Sequence, residues 1–169
     1  MTTIAGEVAD GMNTHGFTTA DYVRDVTIPQ LHVGLRRSGR TREDIEISVP
    51  VMSAIAHSGD DPSLAAMRAT IAFYGSTPAY RPVLEHHGWG ALGDELHQLS
   101  RLGEWQTMGT LIEDDVLHTF AVIGDADHIG REIARRYGAI VDRIQIGTTL
   151  EDKQMRTFLD ALHTAATPT

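Results

Sequence analysis

The amino-acid sequence predicts an α/β fold with a parallel sheet, made of three βα units and a helical insert. Short β-like runs alternate with segments in which apolar residues recur at helical spacing. Strands separated by helices need right-handed crossover connections, which leave the strands parallel. Apolar residues make up 41% of the 169 residues, which is enough for one core, so we expect a single domain over residues 1–169.

The first predicted strand covers residues 8–14, where small side chains suit a tightly packed parallel strand. A helix should follow, with Thr18 as its N-cap and Gly39 at its end. Pro29 lies inside this helix and should kink it, because proline has no N–H to donate and its ring crowds the preceding turn.

The second predicted strand covers residues 45–52, which alternate in polarity at first and are then apolar. Pro50 weakens this prediction, because proline cannot donate to a strand ladder. A polar loop over residues 57–61 comes next, and Asp61 should cap a helix that begins at Pro62. The helical insert then has one piece at residues 78–87, a second that holds Leu92, Leu96 and Leu99 and stops at Gly103, and a third at residues 114–120.

The third predicted strand covers residues 141–147 and lies between two helices. Asp125 or Asp127 should cap the helix before it, and Thr148 or Thr149 should start the helix after it. A closed (β/α)8 barrel typically needs about 250 residues. Three βα units therefore predict an incomplete barrel.

Composition excludes several kinds of protein. Lys and Arg number 14 against 23 Asp and Glu, and the resulting net charge of −9 argues against nucleic-acid partners and anionic membrane surfaces. The chain has no cysteine, so it has no disulfide, thiolate nucleophile or thiolate metal ligand. It has no apolar run long enough to span a membrane and no recognisable signal peptide, so we expect a cytoplasmic protein.

The carboxyl ends of the predicted strands are where α/β folds bind ligands. Asn13, Thr14 and His15 follow the first strand, and hydroxyl-bearing residues follow the other two. His15 can donate to a ligand or move a proton. The alternatives are an ordinary loop histidine, and turn-forming roles for Asn13 and Thr14.

Other polar clusters have structural interpretations. His86 and His87 are adjacent and lack a third ligand at zinc-hydrolase spacing, so we expect capping roles and no metal site. The acid pairs 60–61 and 114–115 stand at helix starts, where they favour the helix dipole. Trp89 and Trp105 are interpreted as packing or interface anchors.

Several segments, in order, carry a family resemblance. They are AGEVADGMNTHGF, YVRDVTIPQLHVGLRRSGRTREDIEISVPV, RATIAFYGSTPAYRPVLEHHGW and GAIVDRIQI. In these segments the chain resembles luciferase-like monooxygenases, and more specifically the actinobacterial oxidoreductases that use coenzyme F420. The resemblance is to the C-terminal half of that family, which would make this chain the last three βα units of a (β/α)8 TIM barrel.

The resemblance implies an oxidoreductase that transfers hydride or activates oxygen with a deazaflavin or flavin, here coenzyme F420 with FMN as the alternative. The family's pocket histidine, tryptophan and glutamate belong to the half that this sequence does not match, so it implies no catalytic residue here. Asn13, Thr14 and His15 are the implied cofactor-binding residues. The other hypothesis is a non-catalytic half-barrel module for oligomerisation or small-ligand binding.

The partners expected are a small-molecule substrate and a second polypeptide. Val49, Val51, Ile144 and Ile146 are interpreted as barrel-interior residues that an incomplete barrel exposes. The chain should hide them by forming a homo-oligomer, most simply a dimer, or by binding a partner that supplies the missing half-barrel.

Overall fold

The computed structural model describes residues 1–56 and 61–166. It has an α/β architecture in which every recorded strand pairing is parallel. The strands are Gly11–Asn13 (β1), Glu46–Ile55 (β2), Ala121–Gly124 (β3) and Arg143–Ile146 (β4). The α-helices are Thr2–Val8 (α1), Ala20–Tyr22 (α2), Ile28–Arg37 (α3), Pro62–Gly75 (α4), Arg81–His86 (α5), Gly90–Leu102 (α6), Trp105–Thr110 (α7), Asp114–Phe120 (α8), Ala126–Tyr137 (α9) and Asp152–Ala166 (α10).

The long strand β2 organises the sheet. Its first part pairs with β1 and its middle part with β4, and Ser48 is in register with both Asn13 and Arg143. β1 and β4 therefore flank β2 on opposite edges, while β3 pairs with the last four residues of β2. The predicted parallel sheet is confirmed.

Pro50 sits inside β2 without breaking a ladder. The N–H of Thr14 donates to the carbonyl of Ser48 at 2.9 Å, and this bond is where the ladder with β1 ends. Even-numbered residues of β2 present their N–H groups toward β1, so proline stands where that edge no longer has a partner.

The first unit differs from its prediction. Val8 ends α1 and belongs to no strand, so β1 is shorter than the predicted run over residues 8–14. The N-cap of α2 is Thr19, whose side chain accepts from the N–H of Tyr22, and not Thr18. The irregularity expected at Pro29 is a π-helical turn over Val23–Thr27, which widens the helix ahead of the proline ring.

Two further features differ from the prediction. β3 was not predicted, because four residues between a helix and a cap are too few to show a period. The last helix begins at Asp152 and not at Thr148 or Thr149. Asp61 and Asp125 do cap α4 and α9 as predicted, through their carboxylates. Most of the predicted loop over residues 57–61 lies outside the described residues.

The two faces of the sheet are the reverse of the expectation. Val49 and Val51 are buried against α3, α9 and α10, with Ile144 and Ile146 partly buried beside them. The opposite face carries Glu46 and Arg143, whose side chains are exposed and form an ion pair at 2.8 Å. The interpretation of the four aliphatic residues as exposed barrel-interior residues was wrong, because alternation places them on the helix side.

The helical insert has a second core. It lies under α4, α5, α6 and α8 and includes Phe17, Ile71, Leu84, Leu96 and Phe120. Within the described ranges, no helix combines the length and the apolar character needed to cross a membrane.

Candidate functional site

A cavity of about 530 Å³ lies beside the carboxyl end of β1. Its walls come from α1, from the chain over residues 12–18, and from the turn and helix around Tyr80 and Val83. Asn13, Thr14 and His15 all line it, so the structure brings the three predicted residues together at one cavity. The volume falls in the range of small-molecule sites, about 300–1,000 Å³.

The His15 ring is held in a defined orientation. The backbone N–H of Phe17 donates to Nδ1 at 3.0 Å. The ring stacks on Tyr80 with centroids 4.5 Å apart and meets the edge of Tyr74 at 4.9 Å. Because Nδ1 accepts, the neutral ring carries its proton on Nε2, which can donate to a molecule in the cavity.

Thr14 is fixed by its backbone and unpaired at its side chain. Its N–H bonds to Ser48 of β2, whereas its Oγ1 is buried and makes no hydrogen bond within the described chain. Such a hydroxyl costs free energy until something pairs with it, typically about 1–3 kcal/mol. This unpaired hydroxyl is the strongest indication of a ligand at this cavity.

The remaining wall is largely apolar. Phe17 is buried and stacks on Phe120 with centroids 4.5 Å apart, which anchors the floor. Burial raises the pKa of the Tyr22 phenol, so this group stays protonated near neutral pH. Ile4 and Met12 add aliphatic surface. A few polar groups on an apolar wall suit a flat organic ligand.

Sequence reasoning missed the aromatic support of His15. Tyr74 and Tyr80 lie about sixty residues further along the chain, and no periodic signal connects them to the first strand. The Pro78 turn brings Tyr80 to the ring, so only the tertiary structure reveals this contact.

His86 and His87 point to different partners. His86 Nε2 lies 3.3 Å from an Asp25 carboxylate oxygen, and His87 Nε2 lies 2.8 Å from Thr19 Oγ1. His87 also stacks on Trp89 with centroids 4.9 Å apart, which accords with a packing role for that tryptophan. In residues 1–56 and 61–166, no group of three or more potential metal-ligating side chains converges.

The acidic pair at the start of α8 is used structurally. Asp114 forms an ion pair with Arg68, which also donates to the carbonyl of Ile112. A carboxylate oxygen of Asp115 accepts from the N–H of Val116 at 2.7 Å. Both acids lie in the first turn, where they complement the helix dipole.

The ends of β2 and β4 contribute to a different cavity. Ser53 and Ala54 of β2 line a space of about 310 Å³ together with Gly147, Thr148 and Thr149. The carboxyl-end residues therefore divide between two cavities, and the two share no lining residue.

Comparison with known proteins points to one family. The family model described as luciferase-like monooxygenase matches residues 1–143. Uncharacterized proteins of Mycobacterium bovis and Mycobacterium tuberculosis are 51% identical over 148 residues, which are 85% of this chain and 43% of theirs. The 5,10-methylenetetrahydromethanopterin reductase of Methanopyrus kandleri is 25% identical over 149 residues, 86% of this chain and 41% of the reductase.

Two solved structures share the fold. The coenzyme F420 dependent tetrahydromethanopterin reductase from Methanopyrus kandleri superposes with a TM-score of 0.70 at 22% identity, covering 95% of this chain and 46% of that one. An F420-dependent secondary alcohol dehydrogenase, in complex with an F420-acetone adduct, gives 0.59 at 18% identity, covering 97% and 45%. The chain thus spans less than half the length of the proteins it matches.

Proposed function

This chain belongs to the luciferase-like monooxygenase family, and we propose that it forms part of an oxidoreductase that uses coenzyme F420. The cofactor would bind in the 530 Å³ cavity beside Asn13, Thr14 and His15. The observation that carries this proposal is the unpaired, buried hydroxyl of Thr14, a residue that lines this cavity. FMN is the alternative cofactor.

The residues present fit a deazaflavin ring. Such a ring has flat apolar faces and a polar edge with carbonyl and N–H groups. The Thr14 hydroxyl and the His15 Nε2–H can pair with that edge, while Phe17 and Met12 offer apolar contact. Asn13 adds an amide that both donates and accepts. When bound, the deazaflavin supplies the hydride chemistry.

The residues of this chain would orient the bound cofactor and shield it from water. Tyr80 and the N–H of Phe17 fix the His15 ring, so its Nε2–H is aimed before a ligand arrives. Preorganised donors cost little entropy at binding. We assign no catalytic residue, and we propose a small organic molecule as the substrate.

Support for F420 over FMN comes from the relatives. The Methanopyrus kandleri reductase and the secondary alcohol dehydrogenase are both described as F420-dependent, and both share this fold. The chain spans 43% of its mycobacterial relatives, which favours two further proposals. One is a second polypeptide, either another copy or a missing half-barrel. The other is the competing function, a non-catalytic module. A cytoplasmic location stays a prediction.

The test is a titration of the purified chain with coenzyme F420 and with FMN, followed by fluorescence. We expect saturable binding of F420, and His15→Ala should weaken it about 5- to 30-fold, which corresponds to about 1–2 kcal/mol for one buried hydrogen bond. His163→Ala, on the exposed side of α10, is the matched control and should bind like the parent chain.

Each other outcome counts against a stated part of the proposal. Equal affinity of the parent and His15→Ala chains would remove His15 from the site. Saturable binding of FMN with none of F420 would replace the cofactor. Absence of binding to both would favour the non-catalytic module.

A further inference from the structure

We infer that a second binding site, for a neutral hydroxyl-bearing small molecule, lies between α4 and the carboxyl ends of β2 and β4. The cavity there measures about 310 Å³. Its lining residues are Ser53, Ala54 and Ile55 from β2, Ser63, Ala66, Met67 and Thr70 from α4, and Gly147, Thr148 and Thr149 after β4. The inference does not depend on F420, because this cavity shares no lining residue with the first.

Ser53 is the first observation that points to a ligand. Its side chain is buried, with 3% of the residue exposed, and its Oγ has no hydrogen-bond partner in the described chain. The large majority of buried hydroxyls in proteins are paired. Ser53 is one of the residues that line the cavity, so a change of its side-chain rotamer would offer the hydroxyl to a ligand there.

Two neighbouring hydroxyls, both on α4, differ from Ser53 because each has a hydrogen-bond partner. Ser63 Oγ donates to a carboxylate oxygen of Asp61 at 2.7 Å, which belongs to the cap of α4. Thr70 Oγ1 donates to the carbonyl of Ala66 at 2.9 Å. Local structure therefore accounts for these two groups and leaves Ser53 unexplained.

Gly147 keeps the floor of the cavity open. Its N–H donates to the carbonyl of Val51 at 3.1 Å, which continues the β2–β4 ladder by one residue. A Cβ at this position would lie 3.4 Å from the Val51 oxygen and 3.7 Å from the Ser53 nitrogen. Any side chain here would occupy space beside Ser53.

The lining chemistry selects the ligand class. The described residues around the cavity are hydroxyl-bearing, aliphatic or thioether side chains and a glycine, with no charged group among them. Arg68 follows Met67 directly in the sequence, but its guanidinium forms an ion pair with Asp114, and the Asp61 carboxylate at the start of α4 holds Ser63 and disfavours an anion. A hydroxyl both donates and accepts, so it pairs best with another hydroxyl. An alcohol or small polyol meets these conditions.

The experiment is a titration of the ¹⁵N-labelled chain with erythritol, with sodium phosphate as the anionic probe. We expect saturating shifts of the Ser53, Gly147 and Thr148 amides with erythritol. Ser53→Ala should weaken binding at least fivefold. Ser100→Ala, whose hydroxyl donates to the carbonyl of His97 on α6, is the matched control and should bind normally.

Three results of the titration would overturn the inference. They are erythritol shifts that do not saturate at these amides, equal affinity of the Ser53→Ala chain, and saturation by phosphate in place of erythritol. A crystal structure with a single ordered water on Ser53 Oγ that erythritol does not displace would also overturn it. If Ser53→Ala fails to fold, Thr148→Val provides the same comparison from the opposite wall.

Discussion

At the scale of single residues, two buried hydroxyls without partners lie at strand ends, Thr14 after β1 and Ser53 within the last residues of β2. Both stand at cavities, and the rest of the fold pairs its buried polar groups more completely. Ser76, for example, is buried and donates to the carbonyl of Phe73 at 2.7 Å. An unpaired buried group that persists in a folded chain calls for an explanation, such as an ordered water, an ion or a functional role.

Thr14→Val should separate stability from binding. Valine has nearly the shape of threonine and removes the unpaired hydroxyl, so the free energy of unfolding should rise by about 1 kcal/mol. Affinity for F420 should fall at the same time. Urea denaturation measures the first effect and fluorescence titration the second.

Thr157→Val is the control for that substitution. The Thr157 hydroxyl lies on the exposed face of α10 and already donates to the carbonyl of Lys153. Removing this hydroxyl should therefore change the free energy of unfolding by less than about 0.5 kcal/mol. A drop in the stability of Thr14→Val would mean that the Thr14 hydroxyl is paired in the folded chain, which contradicts the prediction.

His87 should make stability depend on pH. Burial, and then the charge of His86, lower the pKa of His87, although Asp21 and Asp25 act in the opposite direction. The unfolded chain therefore takes up this proton at higher pH than the folded chain. The contribution of His87 to stability should be constant well above pH 6.5 and fall as pH decreases through that value toward the lowered pKa of the folded state, because the unfolded histidine protonates first.

The measurement is the urea midpoint between pH 5 and pH 8 for the parent chain and for His87→Gln. Glutamine keeps an acceptor for the Thr19 hydroxyl and cannot titrate. We expect a smaller loss of stability at low pH in His87→Gln than in the parent. A parent slope retained in full by His87→Gln would assign the effect to other groups.

At this scale, position along the chain was sufficient to group three residues that line one cavity, and their role in binding a cofactor stays a prediction. The rule that ligands lie at carboxyl ends of parallel strands placed Asn13, Thr14 and His15 at one cavity. It could not reveal that Tyr80 orients His15, because that contact depends on how distant segments cross.

At the scale of elements, glycines set how closely helices pack. α1 crosses α3 so tightly that a Cβ on Gly34 would collide with the carbonyl of Thr3. α9 and α10 meet in the same way, because a Cβ on Gly130 would come within 2.9 Å of the Ala161 side chain. Helix α1 forms one wall of the 530 Å³ cavity, so its backbone contact with α3 also sets the position of that wall.

Gly34→Ala should destabilise the chain, although alanine normally favours a helix over glycine by about 1 kcal/mol. The collision forces α1 away from α3, and we expect the free energy of unfolding to fall by about 1–3 kcal/mol. Gly109→Ala in α7 is the control. Its added Cβ would lie 3.6 Å from Ala69, an ordinary contact, so its stability should rise by up to about 1 kcal/mol. A gain in both variants, measured by urea denaturation, would show that α1 does not pack on α3.

Some element boundaries could be predicted from their residues, and others could not. Helix ends with a dedicated residue were predictable, such as Gly103, which takes a positive φ of 77° at the end of α6. β3 was not, since its four residues carry neither alternation nor a turn signal. The face of β2 that meets the helices also needed the structure, because a buried parallel strand is apolar on both faces in many folds.

At the scale of the whole molecule, the question is what covers the exposed apolar residues. The expected barrel-interior residues are buried or partly buried against the helices, so they are poorly placed to drive association. Ile4 and Val8 of α1 are 59% and 75% exposed and lie one turn apart on the helix, and Ile4 also lines the 530 Å³ cavity. The only charged residue in the α1 sequence is Glu7, which pairs with Arg37 at 3.2 Å.

A second copy of this chain should cover that helix face. Two chains of net charge −9 repel each other, so they associate best through a face with little charge of its own. A two-fold contact would bring both α1 helices together. Sedimentation at low micromolar concentration should give a species of twice 18.5 kDa. Ile4→Lys combined with Val8→Lys should convert it to the monomer, because the charges would have to be buried.

Phe73→Lys is the control, because Phe73 is 54% exposed on α4, outside the α1 face, and contacts Trp105 at the same surface. The dimer should survive this substitution. A parent chain that sediments at 18.5 kDa and binds no hydrophobic dye would contradict self-association through any apolar face. Loss of the dimer in Phe73→Lys alone would move the interface to the helical insert. In that case the α1 face would remain available to the other proposed partner, a polypeptide that supplies the missing half-barrel.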